Sequence, residues 1–296
     1  SPEGEVIDIL KEGNSQLTGK IELCDGVPYF VSDTMSKNHI TISESESSEY
    51  KIGDKVLAEI SYRGKRHSEH KVRILMSFGD CENASACSKS ILAVHGVREE
   101  FPEPVQRMAQ RIAVAGIHDY DFNNREDFRH LNIFTIDSAE SKDLDDAVSI
   151  EKTKDGYRLG VHIADVSHYV KGNSDIDKEA LNRGTSIYYA NKVVPMLPKE
   201  LSNGICSLNP DENRLTMSAV IELDKYGEII SYGFCKSVIR SRVKGIYSEI
   251  NQILSNSESP EIAEKYSEIR DDIFLMDELA DILIANKKRR HAPQLE

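Results

Sequence analysis

The sequence predicts an α+β protein in which a small antiparallel β-barrel precedes a larger domain of mixed sheet and helix. Three observations carry this. Short apolar runs alternate in the strand manner from residue 5 to about 75, with glycine and aspartate between them. From Asn132 longer apolar runs flank a dense acidic stretch. From Ser259 apolar residues recur at helical spacing.

In the first region the strands are expected at Val6–Ile9, Leu17–Leu23, Pro28–Val31, His39–Ile42, Lys55–Ile60 and His70–Leu75. Gly13-Asn14, Asp25-Gly26 and Gly53-Asp54 supply the turns, since these residues tolerate the backbone conformations that tight connections need. Short strands at this spacing suit a Greek-key barrel of the OB or cold-shock kind. Such barrels bind single-stranded nucleic acid on aromatic platforms. The aromatic supply is thin here, chiefly Tyr29, Phe30, Tyr50 and Tyr62, and Phe30 reads equally well as core.

Residues 77–130 read as a connector: a polar loop at Ser77–Ser90, a strand at Ile91–Val94 and a helix at Pro104–Ala113 with proline in its first turn. Beyond it, Ile133–Ile136 leads into the acidic stretch and Ala147–Ile150 leads out. Tyr157–Ile163 returns after the Asp155-Gly156 turn, which makes a hairpin with carboxylates at one end. Met217–Leu223 and Ile229–Val238 form a second apolar pair around Lys225-Tyr226-Gly227. Ser259-Pro260 then starts a single long helix through Ile262, Tyr266, Ile269, Ile273, Met276, Leu279 and Leu283, ending at Lys287–Arg290.

Composition narrows the class. A balance of 39% hydrophobic and 29% charged residues is that of an ordinary soluble protein, and no apolar run reaches the roughly 20 residues of a membrane span. Cys24, Cys81, Cys87, Cys206 and Cys235 are odd in number and scattered, as expected for reduced thiols in the cytoplasm. A net charge of -13 disfavours a purely electrostatic nucleic-acid binder, although basic groups lining one channel remain compatible with it. The chain opens Ser1-Pro2 without an initiator methionine and closes just after its last helix, so it reads as a piece of a longer protein.

The stretch Phe134–Glu151 places Asp137, Glu140, Asp143, Asp145 and Asp146 around one basic residue, Lys142. Two carboxylates ~4 Å apart in a partly buried site repel by roughly 4 kcal/mol at an effective dielectric of about 20, so converging several requires a cation or raised pKa values. A calcium loop is disfavoured, because no glycine follows its third ligand position. A solvated acidic turn is the bland alternative. The flanking strands aim side chains in fixed directions, which favours an oxygen-ligand site for Mg²⁺, with Mn²⁺ as a substitute. His162, Asp165 and His168 could instead supply zinc, but their spacing fits second-shell or structural roles better. Lys287–Arg290 reads either as a phosphate contact or as a basic helix end favoured by the helix dipole.

Taken together, Phe134-Thr-Ile-Asp137-x5-Asp143-Leu-Asp145-Asp146-Ala-Val resembles the signature of the RNase II/RNase R family of processive 3'-to-5' exoribonucleases. Arg125-Glu-Asp-Phe-Arg129, Val161-His-Ile-Ala-Asp165-Val-Ser-His168, Arg183-Gly-Thr-Ser-Ile-Tyr188, Pro195-Met-Leu-Pro198 and Leu201-Ser-x-Gly-Ile-Cys-Ser-Leu208 are similar to further stretches of that family, in the same order. The resemblance implies a cold-shock barrel over 1–76 and the N-terminal part of an RNB catalytic domain over 131–296. It also implies that Asp137, Asp143, Asp145 and Asp146 form the catalytic and metal-binding centre, with Asp137 and Asp146 the better ligands and Asp145 the most critical to the chemistry. Tyr188 matches an aromatic that stacks on the terminal RNA bases, and Tyr247 matches a tyrosine near the end of the RNA path. Leu144 stands where the family usually has phenylalanine, Ser138 where it has glycine, and Ala190-Asn191 where it has Leu-Pro.

The expected function is hydrolysis of RNA from its 3' end to 5'-mononucleotides with Mg²⁺ held by the aspartates. The partner is the 3' end of single-stranded RNA, and the expected protein is a monomer without membrane contact or small-molecule cofactor. The family's downstream arginine-rich segment and S1 domain do not appear in this chain, so it is expected to be inactive alone. The alternative is a non-catalytic RNA-binding or scaffold protein that keeps both folds. A zinc metallohydrolase built on His162 and His168 is the third reading.

Overall fold

The computed structural model describes residues 15–35, 39–43, 50–64, 69–189 and 192–290, in two compact units spanning 1–100 and 101–296. The expected strand at Val6–Ile9, the Gly13-Asn14 turn, Ala190-Asn191 and residues 291–296 lie outside the described residues. Residues 77–130 divide between the two units.

In the first unit β1 (Gln16–Cys24), β2 (Val27–Ser32), β3 (Ile40–Ile42), β4 (Asp54–Tyr62) and β5 (Lys71–Asp80) close a barrel in the order β1-β2-β3-β5-β4. The OB-type fold follows from local rules. Asp25 and Gly26 both adopt positive φ, 50° and 76°, which is the two-residue turn whose twist matches the flanking strands. Alternate residues Ile21, Phe30, Ile40, Val56, Ala58, Val72 and Ile74 fill the barrel. Phe30 is fully buried and belongs to this core, whereas Tyr62 is exposed.

The strand expected at Ile91–Val94 and the second half of the loop expected before it are instead helix α1 (Ala84–Val94), and Ser77–Asp80 of that loop continue β5. Asn83 starts it by accepting a hydrogen bond from the Ser85 amide, and Ala86, Ser90 and Leu92 are its buried residues, packed beside β4 and β5. The Ile91–Val94 run is short, and periodicity alone does not separate a buried strand from a helix end at that length.

In the second unit helix α2 (Glu103–Ala115) and a 3₁₀ turn at Asp119–Phe122 precede a six-stranded sheet. Its strands are β6 (Glu126–Asp127), β7 (Ile133–Asp137), β8 (Asp146–Lys152), β9 (Gly156–Ala164), β12 (Asn213–Asp224) and β13 (Ile229–Ile246), in the order β12-β9-β8-β7-β13-β6. Between β9 and β12 lie α3 (Val166–Tyr169), α4 (Asp175–Arg183), the hairpin β10 (Ile187–Tyr189) and β11 (Lys192–Val194), and a helical turn at Glu200–Ile205. The 18-residue β13 governs the topology. Up to Arg240 it runs antiparallel to β12, and from Ser241 to Ile246 it runs parallel to β7, with a register shift between Ser241 and Val243. The far end of β13 therefore sets Ile246 opposite Asp137.

Adjacent residues of β7 serve opposite faces of the sheet, as strand geometry requires. Ile133 joins a core with Leu144, Ala147, Leu201, Leu208 and Leu215, while Phe134 joins one with Val243, Ile250, Ile253, Tyr266, Ile269 and Ile273. The second core is built with α5 (Tyr247–Leu254), α6 (Pro260–Lys265) and α7 (Arg270–Arg289). The single helix expected from Ser259 is thus two, broken at Tyr266–Ile269. Tyr266 is fully buried there, donating its hydroxyl to Glu249 at 2.6 Å and accepting from the Ile246 amide at 2.9 Å. Those side-chain bonds reward a break that helical spacing alone does not disclose. Among the described residues no helix is long and apolar enough to cross a membrane.

The barrel carries a sharp test of this packing. A Cβ at Gly19 would lie 2.2 Å from the Val31 carbonyl oxygen and 2.6 Å from the Phe30 ring. Gly19→Ala should therefore cost the barrel about 1–3 kcal/mol in urea unfolding, and an unchanged midpoint would contradict the strand pairing described.

Candidate metal centre

Asp137 ends β7 and Asp146 begins β8, so the loop 138–145 carries Asp143 and Asp145 between two strand ends. Burial orients that loop. Leu144 is 1% exposed in the first core, while its neighbours Asp143 and Asp145 turn outward. Leucine in place of the family's usual phenylalanine thus still serves as the apolar plug. The backbone is tied on both sides: the Leu208 amide donates to the Leu144 carbonyl at 2.8 Å and the Ala164 amide to the Asp145 carbonyl at 2.9 Å. Asp146 is in register with Ile163 of β9.

Tyr188, on β10, is 67% exposed and donates its hydroxyl to Asp143 Oδ2 at 3.1 Å. The loop carrying this tyrosine is thereby brought to the aspartates. Tyr247 is exposed at the start of α5, one residue beyond the Ile246 that pairs with Asp137.

The carboxylates act on one another. Desolvation raises the pKa of Asp145 above the ordinary carboxylate range, and the negative charges of Asp143, Asp146 and Asp137 add to it. Asp137 is raised in the same direction, first by burial and then by Asp146 and Asp143, with Thr135 and Lys244 opposing. Lys142, the one cation within the acidic stretch, is exposed. Lys244 of β13 is the cation that sequence reading missed: its Nζ donates to the carbonyls of Ala139 at 2.9 Å and Ser141 at 2.5 Å. It stiffens the loop without ion-pairing to the aspartates, and its distance along the chain hides it from any local motif.

The donor set of Asp137, Asp143, Asp145 and Asp146 is all oxygen, mutually repelling and without a thiolate or imidazole. Those are the ligands a hard divalent cation such as Mg²⁺ or Mn²⁺ takes, so the residues fit the metal that the resemblance implies. Among the described residues no three His, Cys, Asp or Glu side chains already stand in metal-ligating geometry.

The His-x-x-Asp-x-x-His stretch does not converge on a metal. His162 is fully buried, with Nε2 3.1 Å from Ser149 Oγ and Nδ1 2.6 Å from Ser218 Oγ. Burial lowers its pKa to about 4. Asp165 accepts from Arg125 at 2.6 Å and from the Ser167 hydroxyl at 2.7 Å. Desolvation alone would raise the Asp165 pKa, but these hydrogen bonds outweigh it and hold the carboxyl below its ordinary range. His168 lies 3.3 Å from Asp121. Lys287, Lys288 and Arg289 occupy the last turn of α7, where Arg289 meets Glu228 at 3.3 Å, as the helix-end reading expects.

Two stability measurements test this account. Between about pH 4 and 6.5 the unfolded chain protonates His162 while the folded chain does not, so folding stability rises with pH across that window. The contribution is complete above about pH 6.5 and is lost as pH falls toward 4, to a limit of about 3 kcal/mol. Urea unfolding should show a shallower pH dependence for His162→Asn than for the wild type; equal slopes would refute the assignment. Arg125→Met strands the buried Asp165 carboxylate and should cost about 3–5 kcal/mol, against near neutrality if the pair were solvated.

Comparison with known proteins accords with this geometry. The cold-shock domain matches residues 30–102 and the RNB domain residues 125–296. Ribonuclease R of Thermotoga maritima is 38% identical over 98% of this chain and 41% of its own length. That of Vibrio parahaemolyticus is 34% identical over 99% of this chain and 35% of its own. The structure of Mycoplasma genitalium RNase R in complex with double-stranded RNA superposes with a TM-score of 0.86 at 27% identity, covering 97% of this chain and 50% of that one. The chain thus spans half or less of the length of these relatives. With the barrel, the RNB sheet and the motif order in agreement, the chain belongs to the RNB-domain family of the RNase II and RNase R type.

Proposed function

We propose that this chain carries the metal-binding half of a processive 3'-to-5' exoribonuclease that releases 5'-mononucleotides from single-stranded RNA. The observation that carries the reading is that Asp137 and Asp146 at two strand ends and Asp143 and Asp145 in the loop between them lie close enough to act on one another's charge, with the exposed Tyr188 hydroxyl on Asp143. A divalent cation held by these aspartates would neutralise charge building on the phosphate oxygens and make a water nucleophile available near neutral pH.

The residues' own parts follow from their positions. Asp137 and Asp146 sit at strand ends, where the backbone leaves little freedom, and serve best as fixed ligands. Asp145 is acted on by the negative charges of the other three carboxylates and sits in the loop between the two strand ends, which suits it to the reacting end of the site. Tyr188 presents an exposed ring within reach of Asp143, so a terminal base stacked on it would bring its phosphate toward the carboxylates. Tyr247, beyond the strand end opposite Asp137, would bound the RNA path on the other side. The cold-shock barrel would guide the strand to the site. Unpaired thiols throughout the described residues suit the reducing cytoplasm, where we place the protein as a monomer.

Asp145→Asn, in protein expressed from its complete gene, tests the reading. Degradation of a 5'-labelled single-stranded RNA in Mg²⁺ should fall by at least about 100-fold, or about 2.7 kcal/mol of transition-state stabilisation, while RNA binding persists. Wild-type degradation by the variant would overturn the assignment.

A further inference from the structure

The loop between β7 and β8 has a second fastening, contributed by a residue far from it in sequence. Ser207 follows the helical turn at Glu200–Ile205 and is fully buried. Its Oγ accepts a hydrogen bond from the Leu144 amide at 3.1 Å and donates to the Lys142 carbonyl at 2.9 Å. The Asn209 side-chain oxygen, at 3.4 Å, is the more distant acceptor for the same proton. One hydroxyl therefore clips the backbone on both sides of Asp143. Ser207 is held in turn: Arg214 of β12, itself buried, donates Nε to the Ser207 carbonyl at 2.7 Å and a second nitrogen to the Gly204 carbonyl at 3.3 Å.

We infer that Ser207 is a positioning residue for the aspartate cluster, setting the directions in which Asp143 and Asp145 present their carboxylates. The inference rests on the proposed metal-dependent function. Three physical points support it. Four like charges on a loop of this length splay apart unless the backbone is restrained, since each gains from separation. A neutral hydroxyl restrains the backbone without supplying a cation that would compete for the carboxylates. The clip brackets Asp143 itself, so a small rotation of the peptide planes at Lys142 or Leu144 would swing that side chain away from its neighbours. The Leu208 amide would still hold the Leu144 carbonyl in the absence of the hydroxyl, so loss of Ser207 Oγ loosens the loop without releasing it.

The test compares wild type, Ser207→Ala, Ser207→Thr and Asp145→Asn, expressed from the complete gene, by Mn²⁺ titration in electron paramagnetic resonance and by RNA degradation against metal concentration. Groups that orient metal ligands contribute about 10–100-fold to metal affinity or activity. Ser207→Ala should thus raise the Mn²⁺ dissociation constant and the half-activating Mn²⁺ concentration about tenfold or more, with KM for RNA within about twofold of wild type. Ser207→Thr, which keeps the hydroxyl, should recover most of the metal affinity even where its extra methyl lowers the melting temperature. Ser149→Ala removes a buried hydroxyl of the same sheet that bonds His162 and no loop atom, and it should leave Mn²⁺ affinity unchanged. If Ser207→Ala does not fold at the assay temperature, Ser207→Cys, nearly isosteric and a weaker donor and acceptor, must shift Mn²⁺ affinity in the same direction. Wild-type Mn²⁺ affinity in Ser207→Ala or, where that variant does not fold, in Ser207→Cys would overturn the inference, as would equal losses in Ser207→Thr and Ser207→Ala. An Asp145→Asn protein with wild-type activity and metal affinity would sink the cluster reading itself, whereas an inactive Asp145→Asn beside a wild-type-like Ser207→Ala would sink only the role of Ser207.

Discussion

The second unit is organised around one buried ion pair, Arg125 with Asp165, whose side chains are 4% and 1% exposed. Burying two charges is costly, and their attraction offsets the cost only when the remaining donors and acceptors are satisfied. Here they are. Arg125 donates to Asp165, to the Asp121 carbonyl at 3.0 Å, and to the carbonyls of Thr216 and Ser237, both at 3.3 Å. Thr216 and Ser237 face each other across β12 and β13, so a single guanidinium joins the turn before β6 to two strands and to the end of β9. Asp165 passes the constraint on: its amide bonds the Leu215 carbonyl and that of its neighbour Ala164 bonds Asp145. Apolar residues of equal volume commonly match the stability of a buried ion pair, but they could not dictate which carbonyls lie beside which. Registry is the contribution of the charges.

Against that fixed frame, the electrostatics of the aspartate cluster are deliberately unbalanced. Many carboxylates among the described residues have cationic partners, as in Glu59 with Arg73, Glu222 with Arg158 and Glu249 with Lys265. The Asp127 carboxyl, bonded by Arg129, falls to about 2. Asp145 shifts the other way, first through desolvation and then because the charges acting on it, those of Asp143, Asp146 and Asp137, are negative. With a net charge of -13 cations are fewer than carboxylates, and while many of them stand in ion pairs elsewhere, no cation contributes to the shift at Asp145. Stability alone would select against such a site, whereas the proposed cation-dependent function would favour it.

Much of this was legible in the sequence because it obeys local rules. Period-two alternation and an Asp-Gly turn are enough to place the barrel strands, and the carboxylate spacing between two apolar runs marks the loop between β7 and β8. What stayed hidden depends on contacts between distant residues. The Ile91–Val94 run is a helix because Asn83 caps it and small side chains fit it to the barrel, neither of which changes its apolar pattern. The break at Tyr266 is stabilised by Glu249 and Ile246, 17 and 20 residues away in sequence. Lys244, Ser207 and Arg125 reach the site only once β13 has bent from β12 to β7 and the sheet has closed, and no motif window spans those separations. His162 has the structural role its spacing suggests, but the two serines that hold it come from β8 and β12 and are not marked by any local motif.

The manner in which the acidic loop is held connects these points. A lysine set among the four carboxylates would relieve their repulsion most directly, yet it would also occupy the negative potential that a metal requires. The loop is instead fastened through its backbone: Lys244 caps the carbonyls of Ala139 and Ser141, Ser207 brackets Asp143, and the amides of Leu208 and Ala164 take the carbonyls of Leu144 and Asp145. Each of these bonds restrains main-chain atoms and leaves the carboxylate oxygens of Asp137, Asp145 and Asp146 to other partners. Folding energy is drawn from Leu144 in the core and from hydrogen bonds to peptide groups, while the repulsion among side chains is left for the proposed cation to relieve.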